Sequence, residues 1–175
     1  WDIIEGLTTE VGQRLAGTEA EARARTWAVA KLTALGFKNV RVEPYRMPVW
    51  ERGAETAEII APFPQKLTLA ALGNSGATPA TGLTGDVVVF ANMAAFQAAP
   101  DNAIKGRIVY IGNAMPRTQD GSGYGAYGTA RFVGPALASQ RGAVAIIIRS
   151  IGTDHHRFPH TGTTDFPAGV KPIHA

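Results

Sequence analysis

A chain of 175 residues, 45% apolar and 18% charged, has the side chains for one packed domain with an appendage, which excludes wholesale disorder. Its net charge of +3 comes from scattered Lys and Arg with no basic stripe, which argues against a nucleic-acid surface. No apolar run approaches the roughly 18 residues that span a bilayer, and the lack of cysteine excludes disulfides, thiolate nucleophiles and thiolate metal sites.

From the start of the chain, Ile3, Ile4, Leu7, Val11 and Leu15 recur at helical spacing, predicting a short amphipathic helix over residues 2–11. Residues 12–17 connect it to a capping box. There the Thr18 hydroxyl accepts from the Glu21 N–H and the Glu21 side chain reaches back. Ala24, Trp27, Ala28, Leu32 and Leu35 form one face of the helix that follows, and Gly36 stands where a left-handed residue ends it. Val40 and Val42 alternate with Arg41 and Glu43 as a half-buried strand, which Pro44 and Pro48 confine to an edge or bulge.

Beyond Gly53 the pattern changes. Residues 58–60, 66–72, 86–91, 107–113 and 143–150 read as strands, punctuated by Pro62, Pro64 and a Gly-bearing stretch over 73–85. Residues 93–99 predict a short helix stopped by Pro100, and residues 115–128 a Gly-rich loop carrying Tyr124 and Tyr127. Pro135 suits the first turn of a helix ending near Arg141, with Gly142 just past its end. The run 143–148 is apolar without alternation, predicting a central strand covered on both faces. A long polar loop follows Ser150, then a strand fragment at 171–175.

The densest chemistry lies at 149–162, RSIGTDHHRFPHTG, which holds three of the four histidines, His155, His156 and His160, beside Asp154. One reading is a metal site, and with it a small metal-dependent hydrolase. That needs three or four ligands converging at imidazole N–metal distances of about 2.0–2.1 Å. Neighbours such as His155 and His156 in extended chain point to opposite faces. Pro159 opposes the helix that would align His156 with His160. The triplet Asp154-His155-His156 resembles the DHH phosphoesterase signature, but the aspartate motifs that accompany it are missing. The plainer reading is a polar loop in which His160 hydrogen-bonds to backbone.

Two other features carry chemistry. The segment DGSGYG at 120–125 contains G-x-G without the full dinucleotide fingerprint or the Lys of a P-loop, so Tyr124 and Tyr127 read as contact residues of a flexible loop. Arg149 follows a strand; it can clamp a substrate carboxylate through a bidentate contact or close a salt bridge at the strand end. Ser139, Ser150 and the histidines form no recognisable triad, and there is no G-x-S-x-G elbow.

The segments QRLAGT (13–18), AVAKLTALGF (28–37) and VRVEP (40–44) resemble the opening of the zinc exopeptidases related to bacterial leucyl aminopeptidase. PVWERG (48–53), GRIVY (106–110), GAVAIIIRSIG (142–152) and PHTG (159–162) are similar, in order, to the plasma glutamate carboxypeptidase (carboxypeptidase Q) branch. The resemblance implies an α/β (α+β) fold with a defined layout. Residues 1–53 would be two helices and a strand of an incomplete peptidase domain. Residues 54–170 would be a protease-associated domain, with a curved mixed sheet and flanking helices. Residues 171–175 would begin a catalytic core absent from the chain.

The family's two zinc ions are held by residues of that core, so the resemblance implies no catalytic residue, metal ligand or cofactor within these 175 residues. The expected role is a lid, a substrate-selecting surface or a partner-binding surface. Tyr124, Tyr127, Arg149, His155, His156 and His160 would face the parent enzyme's peptide substrate. An extracytoplasmic location is implied as well. The chain begins at Trp1 and is expected to be a processed or trimmed product. The apolar faces of residues 2–35 should either be mobile or self-associate with a second copy. The competing reading is an independent module that binds peptides or proteins through its aromatic Gly-rich loop.

Overall fold

The computed structural model describes residues 1–154 and 156–175, which divide into two compact units, Trp1–Glu51 and Arg52–Ala175.

In the first unit, α1 spans Asp2–Gly6 and continues as one wider π-helical turn over Leu7–Val11. Local competition for backbone accounts for the widening. The Thr8 and Thr9 hydroxyls donate to the carbonyls of Ile4 and Glu5 at 2.8 and 2.7 Å, and the turn closes with Gly12 N–H on Leu7 O. Helix α2 spans Glu19–Ala34. Thr18 caps it as expected, its hydroxyl accepting from Glu21 N–H at 3.3 Å. The reciprocal half of the box is not made: Thr18 N–H donates to Leu15 O, and the Glu21 carboxylate pairs with Arg25 one turn on. Gly36 adopts φ +87° beyond the last turn, the left-handed conformation a helix C-terminus favours.

Trp27 lies against Gly6, where a Cβ would come within 2.5 Å of the indole, and its ring N–H donates to Glu10 at 3.1 Å. No residue of α2 is buried, and Ile3, Ile4, Leu32 and Leu35 are exposed. The strand expected over 40–43 is not formed. Val42 is half exposed, and with no pairing segment beside it among the described residues the alternation alone does not make a strand.

The second unit holds two separate sheets. Strands β1 (Ala57–Ile59) and β2 (Gln65–Leu67) pair antiparallel, Glu58 opposite Lys66. Strands β3 (Val87–Phe90), β4 (Ile108–Ile111) and β5 (Ala145–Ile148) form a parallel sheet in that order. In place of the expected curved mixed sheet, the described residues form one antiparallel and one parallel sheet, and in the parallel one β4 is central rather than the apolar run of β5. Val109 and Ile111 of β4 are fully buried, alternating with half-buried Ile108 and Tyr110. Among the described residues, the outer side of β5 receives only a bridge from His174, whose carbonyl accepts from Ile146 N–H at 2.9 Å; the strand fragment expected at 171–175 reduces to this contact.

Between β3 and β4 runs α3 (Met93–Ala98), capped by Asn92, whose side chain accepts from Ala95 N–H at 2.9 Å. Between β4 and β5 come α4 (Tyr124–Tyr127), α5 (Thr129–Phe132) and α6 (Gly134–Gln140), so the stretch expected as loop is partly helical. Pro135 stands in the first turn of α6 and Gly142 takes φ +75° after it, both as expected. Phe96, Ile104, Val109, Ile111, Ala138 and Ile146 make a core between sheet and helices.

Residues 71–76 are clasped by the last part of the chain. Leu72 and Gly76 N–H donate to Ala175 and Ile173 carbonyls, and Gly73 exchanges backbone bonds with Gly162 and Thr164. This clasp buries Thr164 completely and leaves its hydroxyl without a partner among the described residues. A buried hydroxyl with no acceptor costs about 1–3 kcal/mol. Thr164→Val is therefore expected to raise unfolding stability by about 1 kcal/mol, read from urea denaturation; a loss of similar size would show that the hydroxyl is satisfied.

Candidate functional site

Residues 150–154 and 156–160 follow the C-terminal end of β5, and several of them face β2. An open cleft of about 560 Å³ lies between them, lined among others by Lys66, Arg149, Asp154, His156, Arg157 and His160. Three permanent cations face one carboxylate across this cleft, so its charge favours an anionic or electron-rich ligand.

Each side chain is placed by identifiable local structure. Arg149 N–H donates to Ile111 O at 2.9 Å, extending the β4–β5 ladder by one residue and setting Arg149 at the strand end. Asp154 accepts from His156 N–H at 3.2 Å, and its carboxylate stands 3.7 Å from His156 Nδ1. The 157–162 stretch is not helical, as Pro159 implied, so His156 and His160 do not share a helix face. His160 N–H donates to the Ser150 hydroxyl at 3.0 Å, bridging the two ends of the loop. Just beyond, the Thr161 hydroxyl donates to Ala71 O at 2.8 Å. Arg52 reaches the same carbonyl and pairs with Glu55 at 2.9 Å, anchoring the loop's exit.

The ring of His160 is engaged. Its Nε2 lies 2.8 Å from the Tyr124 hydroxyl, and that hydroxyl accepts from Arg131 Nη1 at 2.7 Å. Arg131 is 7% exposed and packs its guanidinium over the Phe132 ring at 4.5 Å. Gly162 admits it: a Cβ there would come 2.9 Å from Arg131 Cζ. Arg131 escaped the sequence reading. Its signal is that it and Asp120 are the only charged residues between Arg117 and Arg141, in a stretch otherwise small and apolar.

Of the residues singled out from sequence, the cleft brings together Arg149, His156 and His160, while Tyr124 joins through His160. Tyr127 is not part of the cleft wall; its carbonyl accepts from buried Asn113 at 3.3 Å. His155 lies outside the described residues. In the Gly-rich segment, Ser122 holds the Asp120 carboxyl below the usual carboxylate range by side-chain and backbone hydrogen bonds. Among the described residues, no group of three or more His, Asp or Glu is placed to hold a metal ion. No helix of the described residues is long and apolar enough to cross a membrane.

No family model matches the chain. Carboxypeptidase Q of Bos taurus is 34% identical over 167 residues, which is 95% of this chain and 34% of that protein. Carboxypeptidase Q of Homo sapiens is 32% identical over the same shares of each. The crystal structure of a peptidase M28 precursor from Shewanella amazonensis SB2B superimposes with a TM-score of 0.85 at 48% identity, covering 99% of this chain and 39% of that one. BSAP, a zinc aminopeptidase from Bacillus subtilis, shares the fold, with a TM-score of 0.61 at 20% identity, covering 94% and 38%. The chain thus spans about a third of the length of the curated relatives it matches.

Proposed function

Because the chain belongs to the zinc exopeptidase family of carboxypeptidase Q, we propose that it is the non-catalytic portion of such an enzyme, a lid or substrate-selecting surface for a core outside these 175 residues. The supporting observation is the mismatch in coverage: 95% of this chain against 34% of its relative. On this reading residues 1–53 open the peptidase domain, residues 54–170 are a protease-associated domain, and the location is extracytoplasmic. The cationic cleft beneath the histidine loop faces the peptide, and zinc belongs to the core. The exposed apolar side chains of α1 and α2 are the surface that core covers, or that a second copy covers when it is absent.

The reading is tested in two steps. The chain alone is expected to bind no stoichiometric zinc by titration calorimetry and to release no amino acid from dipeptides. Tight zinc binding with amidase activity would overturn it. In the longer protein, Arg149→Ala is expected to raise KM about tenfold while zinc content stays unchanged, the mark of lost substrate binding. An unchanged KM would remove Arg149 from the substrate surface.

A further inference from the structure

The contact between Tyr124 and His160 joins two residues 36 apart, and a buried cation stands behind it. A guanidinium has five donors, no acceptor and a permanent charge. The Tyr124 hydroxyl must therefore accept from Arg131 Nη1, at 2.7 Å. That leaves the one phenolic proton to donate elsewhere, and a hydroxyl that accepts from a cation is a strengthened donor. The His160 Nε2 lone pair, at 2.8 Å, is the acceptor in reach. An imidazole that accepts at Nε2 carries its proton on Nδ1.

We propose that Arg131, acting through Tyr124, is a positioning residue that holds His160 as the neutral Nδ1–H tautomer. His160 then lines the cleft as a hydrogen-bond donor, suited to a carbonyl or carboxylate oxygen of a bound peptide. Its Nδ1 has no partner among the described residues, so the donor is available. The residue is fixed at two points, its backbone N–H by the Ser150 hydroxyl and its ring by Tyr124 at Nε2. Arg131 has no acidic partner among the described residues, so its charge is directed at the tyrosine rather than neutralised by a carboxylate. Gly162 gives the guanidinium its room.

The ligand chemistry rests on the cleft facing a peptide; the tautomer does not, and it is measured on the chain alone without substrate. Long-range proton–nitrogen correlation spectra of ¹⁵N-histidine-labelled protein, at about pH 8 where an ordinary imidazole is neutral, are expected to show His160 with the Nδ1–H pattern. Tyr124→Phe removes only the hydroxyl and should return His160 toward the Nε2–H form that free imidazole side chains favour. Arg131→Met should do the same. Arg131→Lys, which keeps a cationic donor, should retain the Nδ1–H pattern, a rescue that a purely space-filling role for Arg131 would not show. An Nε2–H pattern in the unaltered chain, or no change in Tyr124→Phe, would overturn the proposal. Neither result would bear on whether the chain belongs to an exopeptidase.

Discussion

Phe96→Ala is expected to cost the Arg52–Ala175 unit about 3–5 kcal/mol of unfolding free energy. Phe96 is fully buried on α3, its ring 5.4 Å from that of Phe90 and tilted 50° to it. It belongs to the same cluster as Ile104, Val109 and Ile111, so truncation opens a void against the central strand. Neither the strand nor a six-residue helix can close it by a small shift. Set against a typical domain stability of about 5–15 kcal/mol, the loss is large enough to populate the unfolded unit under mild denaturant. All three tryptophans lie in Trp1–Glu51, so their fluorescence reports the wrong unit. Hydrogen exchange at the β4 amides is the appropriate measurement, and a loss below about 1 kcal/mol would show that the site collapses freely.

Arg141→Met is expected to cost about 2–4 kcal/mol, and the surface ion pair contributes little of it. Arg141 donates to the carbonyl of Phe96 at 2.7 Å, which also accepts from Ala99 N–H at 3.3 Å, and to the carbonyl of Ala99 just past the end of α3. Its third contact, to Asp101 at 2.7 Å, involves a carboxylate that is 77% exposed and solvated without it. The guanidinium also lies 5.4 Å from the centroid of the Phe96 ring. Removing it takes the donor from the partly buried Ala99 carbonyl and leaves the Phe96 carbonyl with only the longer bond from Ala99 N–H, and that cost dominates. Asp101→Asn should therefore change stability by under about 1 kcal/mol, while Arg141→Lys should recover only part of the loss, since an ammonium does not reproduce the planar fork. Urea unfolding of the three variants separates these effects. Equal losses in Arg141→Met and Asp101→Asn would assign the energy to the ion pair instead.

Local features were legible in the chain wherever one residue and its near neighbours decide the outcome. Thr18 caps α2, and Gly36 and Gly142 take the left-handed conformation that ends helices. Pro159 keeps the histidine loop from coiling. The apolar runs marked all five strands of Arg52–Ala175 to within a few residues, apart from β2, which ends at Leu67. Alternation misled at 40–43, because a strand needs a neighbour as well as a pattern. Reciprocal capping misled at Glu21, because Arg25 on the next turn offers a charge where Thr18 offers one amide.

The candidate site divided along the same line. Arg149, His156 and His160 were visible as a cluster because they are close in sequence, and the cleft keeps them on one wall. Arg131 was not visible. Nothing in TARF (129–132) marks its arginine as buried until Gly162, thirty-one residues on, is laid against it. The direction of the Arg131–Tyr124–His160 chain is likewise a matter of which groups meet.

By itself, then, the sequence determined the caps of α2, α3's stop at Pro100 and α6's end at Gly142, the strand runs of Arg52–Ala175, the lack of thiolate chemistry and the family. Propensity, capping and periodicity act over one or two turns, and ordered motifs survive in a linear string. Only the tertiary structure decided that β4 rather than β5 is central, that Arg141 closes α3, and that a buried arginine orients His160. Each of those depends on a partner far along the chain, and packing alone chooses it: a buried donor or ring is stable only against the particular group the fold brings to it.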